Sequence, residues 1–225
     1  MMGLLDRYTE SDSIYRPSLA LTEAKLLNRK TVKSISAMTD KDVDMPKFMG
    51  RWHVLAHIPT AFEKNTFDNY ENYIYRDVRK DIAVAFQYSS LDDLERKSQN
   101  QMSMIARVFN APINSHWKLN IKYGITWPID LNYLVFDAVK DSNGEYLYTI
   151  VGVPDRSAVW IMTKLKPKTN HPKLSGKSFP FSSKEQALSE KQQRDIIRDV
   201  IVKIEGLGYD SSKLKFPPYS DATLV

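Results

Sequence analysis

The residues of this chain that could do chemistry are few. His53 and His57 share one face of a predicted strand and would suit a metal, but no third ligand stands near them in sequence. They therefore read as surface histidines, turned away from any cavity. Asp155-Arg156 has the makings of a catalytic pair, yet within Pro154-Asp155-Arg156-Ser157 the aspartate reads as a turn stabiliser. The sequence contains no G-x-S-x-G, H-E-x-x-H or glycine-rich phosphate loop. Cysteine is absent, which removes thiolate nucleophiles, disulfides and sulfur-ligated metals. No catalytic residue, metal or cofactor is expected, beyond a bound lipid. What remains is the chemistry of holding.

That chemistry rests on strands. Trp52–Ile58 alternates, with Trp52, Val54, Ala56 and Ile58 on one face. With Trp52 inside a barrel, the small Ala56 above it would leave room for a ligand. Further strands are predicted at Tyr70–Asp77, Asp81–Tyr88, Met102–Phe109, Trp117–Tyr123, Leu131–Val139, Tyr146–Val153 and Ala158–Lys164. Asn143-Gly144 marks a hairpin between two of them. About eight strands suit an all-β, antiparallel up-and-down barrel. On a middle strand Trp117, Leu119 and Ile121 share the apolar face, and Tyr73, Tyr75 and Tyr133 are candidate polar anchors whose facing the sequence leaves open.

The ends read differently. Residues 1–45 form an N-terminal extension, with helix formers after Arg16-Pro17-Ser18 and linker-like segments beyond, and are read as an interaction arm. The barrel is assigned to 46–182. A C-terminal amphipathic helix at 183–208 opens on the capping box Ser189-Glu190-Lys191-Gln192 and carries Ile197, Val200, Ile201 and Ile204 as its apolar stripe. An extended tail, 209–225, follows and shows no interpretable chemistry.

Hydrophobic residues make up 42% and aromatics 11% of the 225, enough for one substantial core. A formal charge of +5 without a block of like charges argues against a nucleic-acid arm. There is no membrane-length apolar run and no secretory signal, so a soluble or peripheral protein, cytosolic or organellar rather than secreted, is expected. Lys164, Lys166, Lys168, Lys173 and Lys177 could touch anionic headgroups, although a solvated connection explains them as well.

Three separated motifs resemble the lipocalins, most nearly the bacterial-lipocalin, temperature-induced-lipocalin and apolipoprotein D branch. Gly50-Arg51-Trp52 through Pro59-Thr60-Ala61-Phe62-Glu63 is similar to the family's first motif. Asp137 followed by Tyr146-Leu147-Tyr148-Thr149-Ile150-Val151-Gly152 resembles its central strand pair. Pro154-Asp155-Arg156 through Trp160-Ile161-Met162-Thr163-Lys164 resembles the third, and Gly208-Tyr209-Asp210 the closing motif. The resemblance implies a barrel floor built from Gly50, Trp52 and Lys164. Lys164 stands where the family has an arginine stacked on the tryptophan, which implies a looser floor. It further implies binding of a fatty acid, lysophospholipid or similar hydrophobe among Val54, Ala56, Ile58, Tyr73, Trp117, Leu119, Ile121 and Tyr133. The other expectation is a structural accessory subunit of a larger, membrane-bound complex, held through the N-terminal extension.

Overall fold

Alternation becomes architecture in a closed barrel of eight antiparallel strands, each paired with its neighbour in sequence and the last with the first. A computed structural model of the protein describes residues 40–60, 63–95, 98–123, 127–168, 171, 174 and 186–220. The helix expected after Pro17 lies outside these residues, as does most of the N-terminal extension. The strands are β1 (Gly50–Ile58), β2 (Thr66–Arg76), β3 (Asp81–Ser90), β4 (Asn100–Val108), β5 (His116–Tyr123), β6 (Trp127–Lys140), β7 (Tyr146–Gly152) and β8 (Val159–Thr163). Every predicted strand is present, most with ends extended or trimmed by a few residues.

The apolar residues sort into two layers. Trp52, Val54, Tyr73, Ile82, Val84, Phe86, Met104, Ala106, Trp117, Leu119, Tyr133, Trp160 and Met162 fill the barrel. Leu55, Ala56, Ile58, Leu134, Phe136, Ile150, Val159 and Ile161 lie on its outer wall. There they meet Ile196, Ile197, Val200, Ile201 and Ile204 of helix α2 (Glu190–Gly206). A one-turn helix, α1 (Met45–Phe48), precedes β1. Ser189 and Gln192 form the expected capping box of α2. Lys203 pins the helix to the wall, its ammonium bonding Asp137 and Asp199 at 2.6 and 2.7 Å.

This layering corrects the first strand. The register to β8 pairs Val54 with Met162 and Ala56 with Ile161, leaving Leu55 as an extra residue in a β-bulge. One added residue flips every later side chain to the other face. Ala56 and Ile58, expected inside, therefore lie on the outer wall beneath α2. His57, expected outside, turns inward opposite Trp160.

At the floor, beside Gly50, Trp52 and Lys164, stands a helix not anticipated from the sequence: α1 is capped by Asp44 and drives Phe48 beneath Trp52, ring centroids 4.8 Å apart. The Trp52 indole donates to the Phe48 carbonyl at 2.7 Å. Gly50, at φ +91°, makes the turn into β1 that an L side chain would resist. The Lys164 ammonium sits 4.3 Å from the Trp52 ring centre and donates to the Met49 carbonyl at 2.5 Å and the Phe48 carbonyl at 3.3 Å. It lacks the planar face of arginine, but its bonds satisfy the open end of α1. Burial draws its pKa down to about 8.

The tail also departs from expectation. After Leu214 it runs along the opening between β1 and β2, whose pairing stops at His53–Tyr70. Lys215 exchanges backbone hydrogen bonds with His57 at 2.8 and 2.9 Å, and the Asp68 amide donates to the Pro218 carbonyl at 2.9 Å. The buried Tyr219 hydroxyl donates to the Val54 carbonyl, with the Asn69 carbonyl also within 2.5 Å. These are backbone groups that a continuous ladder would have satisfied.

Candidate ligand-binding site in the barrel

Four strands and one connection bring polar groups into this apolar interior. On β2 the alternation places Asn69, Glu71 and Tyr73 on the inward face. Tyr133 on β6 reaches across to them. The bulge delivers His57 from β1, the β1–β2 connection delivers Glu63, and β8 delivers Trp160. Both tyrosines of the expected anchor set that enter the site thus converge on a carboxylate that the sequence reading missed.

Glu71 is buried. Tyr73 and Tyr133 both donate to its Oε2, the latter at 2.8 Å, and their own oxygens lie 2.5 Å apart. Burial pushes the Glu71 carboxyl up to about 7, the two phenol bonds oppose that rise, and the charge of Glu63 adds to it. Both phenols are raised well above the usual tyrosine range by burial and then by Glu71. With both phenols donating to Oε2 no proton lies between the two phenol oxygens; a proton on Glu71, favoured by burial, lets one phenol turn to the other and closes a ring of three hydrogen bonds.

Glu63 sits nearer the mouth. Its Oε1 accepts from the Trp160 indole at 2.7 Å and contacts His57 Nδ1 at 3.2 Å. Its Oε2 accepts from the Thr60 amide at 2.8 Å and the Thr60 hydroxyl at 2.7 Å. Burial would raise this carboxyl, but attraction and hydrogen bonding from His57, with Thr60 and Trp160, hold it down to about 2.

Trp117, Leu119, Tyr73 and Tyr133 are buried inside the barrel, as is Val54. Ile121 lies on β5 with backbone described and side chain not. Exposure grades along the axis. Phe48, Trp52, Ile82, Ala106 and Trp117 toward the floor are 0% exposed, whereas Phe86, Met104 and Trp160 retain 5–7%. Inward-facing Tyr88, Met102 and Leu131, nearest the mouth, are only half-buried. Glu63, Asn69, Glu71 and Trp160 are not among the residues the sequence marks for the site, and His57 is expected to face away from it. The signal for Glu71 was present, two residues before Tyr73 on the same face; that for His57 lay in a bulge no pattern announces.

Asp155 and Arg156 form a turn, as expected. The aspartate accepts from the Ser157 amide at 2.9 Å, and the Arg156 guanidinium donates to the Leu207 carbonyl at 3.2 Å. Lys164 and Lys166 are turned onto the floor and onto Asp68, which takes them out of any headgroup-facing surface. Lys173 and Lys177 lie outside the described residues. Among those residues no cluster of three or more metal-ligating side chains occurs and no helix is long and apolar enough to cross a membrane.

A family model described as Lipocalin-like domain matches residues 43–176. Among solved structures, insecticyanin from the tobacco hornworm Manduca sexta is similar over 80% of this chain and 83% of its own, at 19% identity and a TM-score of 0.50. Apocrustacyanin C2 is similar over 85% of this chain and 89% of its own, at 6% identity and a TM-score of 0.50. At these identities the likeness is one of fold. No curated protein sequence matches the chain significantly.

Proposed function

The chain belongs to the Lipocalin-like domain family, and from that membership we propose that it binds a small hydrophobic molecule inside the barrel. The observation that carries this reading is the graded lining. A sealed aromatic floor gives way to inward-facing Phe86, Tyr88, Met102, Met104 and Leu131 that keep contact with solvent. Apolar side chains that face inward yet stay partly wet offer a ligand area to bury, at about 25 cal/mol per Å². Val54, Tyr73, Trp117, Leu119, Ile121 and Tyr133 would form the deeper lining. The motif likeness to the apolipoprotein D branch supports the same reading. Native mass spectrometry of the purified protein, with displacement of a polarity-sensitive dye by added hydrophobes, tests it. Neither a co-purifying small molecule nor saturable dye binding would sink the reading.

A second reading has its own support in the floor. Phe48, Trp52, Tyr73, Trp117 and Tyr146 pack ring against ring, so the lower barrel is filled. Filling of that kind suits a barrel used as a structural subunit, with residues 1–45 as its arm. Migration of the full-length protein as a monomer on a native gel of its source extract would count against that role.

A further inference from the structure

The polar groups of the lumen are unbalanced in kind. Donors are spent within the protein: the Tyr73 and Tyr133 hydroxyls on Glu71, the Trp160 indole on Glu63, and the Trp117 indole on the Asn114 carbonyl at 2.6 Å. Acceptors are left over. Glu71 Oε1 bonds no described residue, and the Asn69 side chain, on a residue 0% exposed, has a buried Oδ1 without a partner. The amide orientation follows from its neighbours. The Thr66 hydroxyl donates to the Glu63 carbonyl at 3.1 Å, so it must accept from Asn69 Nδ2, at 2.8 Å, and Oδ1 is the free atom. Asn69 and Glu71 share the inward face of β2. The Lys164 ammonium is held beneath Trp52 by two carbonyls, and His57, a basic side chain inside the barrel, is engaged through Nδ1 with Glu63.

A buried acceptor without a donor costs roughly 1–3 kcal/mol, and a ligand that supplies the donor recovers it. We propose that the lumen takes a hydrophobe whose polar end presents hydrogen-bond donors, a long-chain amine or alcohol, and rejects the carboxylate end of a fatty acid. At pH 8, above the value of about 7 to which burial pushes Glu71, a fatty-acid anion would add a third negative group to Glu63 and Glu71 and leave Asn69 Oδ1 unanswered. This rests on the carrier reading above and departs from its fatty-acid expectation.

The test is competition for a neutral lumen dye at pH 8 by dodecylamine, 1-dodecanol and dodecanoate at sub-micellar concentration. Dodecylamine and dodecanol should compete at least about tenfold more tightly than dodecanoate, tenfold being 1.4 kcal/mol. In Glu71→Gln the charge is gone and an amide donor is added, so the gap should narrow by about tenfold. Asn69→Leu should weaken dodecanol and leave dodecanoate little changed. Dodecanoate binding as tightly as dodecanol to the unmodified protein overturns the proposal while the carrier reading stands. An unchanged gap in both variants also overturns it, since the preference would then arise outside β2. Dye that never binds saturably removes the carrier reading and the proposal with it.

Discussion

Glu63 and Glu71 face the same barrel, are buried alike and titrate in opposite directions. Glu63 is held down to about 2, and Glu71 is pushed up to about 7. Burial acts against ionisation in both, so burial cannot explain the difference. Partners do. Glu63 has donors on both oxygens, with His57 among its contacts, whereas Glu71 has two phenols crowded onto one oxygen and the charge of Glu63 nearby. One region of the lumen is built to hold a charge and the other to hold a proton.

The two therefore bend the stability curve in opposite senses. Glu63 is more acidic folded than unfolded, so its contribution is present above the unfolded value of 4.5 and is lost as pH falls toward 2. Glu71 binds its proton more tightly folded, so stability is greatest below 4.5 and declines as pH rises through 7. Each limb amounts to about 3 kcal/mol, since one unit is about 1.4 kcal/mol.

The largest effect should come from breaking the charged side. Glu63→Ala strands the Trp160 indole, the His57 ring and both Thr60 donors in a closed site, and should cost roughly 3–5 kcal/mol in urea unfolding at pH 7. A loss below about 1 kcal/mol would mean that water already serves those groups. Next comes Glu71→Gln, which imitates the protonated acid. It should stabilise the protein by roughly 2–3 kcal/mol at pH 8 and leave it nearly unchanged at pH 4.5, flattening the alkaline limb. A variant less stable than the parent at pH 8 would show that an ionised Glu71 is tolerated after all.

Much of the barrel was legible because period-2 alternation survives wherever a strand is regular. Trp52 and Val54, Trp117 and Leu119 all point as the pattern implies. The pattern fails at Leu55, where a single inserted residue exchanges the faces of Ala56, His57 and Ile58. Nothing local in Val54-Leu55-Ala56 marks that bulge, because it is set by the pairing with β8. Glu71 was missed for a different reason. A charged residue between Tyr70 and Asn72 reads as solvent-facing until Tyr133, far away in sequence, closes over it. Floor and tail were opaque because Phe48 and Tyr219 gain meaning only from the strands they cover.

A smaller effect should follow from altering one partner of Glu63 while keeping a donor. His57→Gln can still donate to Oε1 but removes the imidazole whose attraction helps hold the Glu63 carboxyl down. It should cost about 1–2 kcal/mol at pH 7 and start the acid limb at a higher pH, because the carboxyl loses its strongest opposing attraction. An acid limb that does not move would assign the depression to Thr60 and Trp160 instead.

The smallest and most discriminating change is Tyr133→Phe. It removes one of the three oxygens and with it two of the three contacts around Glu71. With Glu71 protonated, the remaining Tyr73 bond survives, and the loss should be about 1 kcal/mol. With Glu71 ionised, the carboxylate also loses a donor that favours its charge, so the loss should be larger at pH 8 than at pH 5. The Glu71 titration, followed by carboxyl-carbon NMR, should accordingly move upward. A downward move would mean that Tyr133 acts on Glu71 mainly by excluding water, since wetting the carboxylate would then outweigh the lost phenol. In that case the contrast with Glu63 would rest on solvent access rather than on the number and charge of donors.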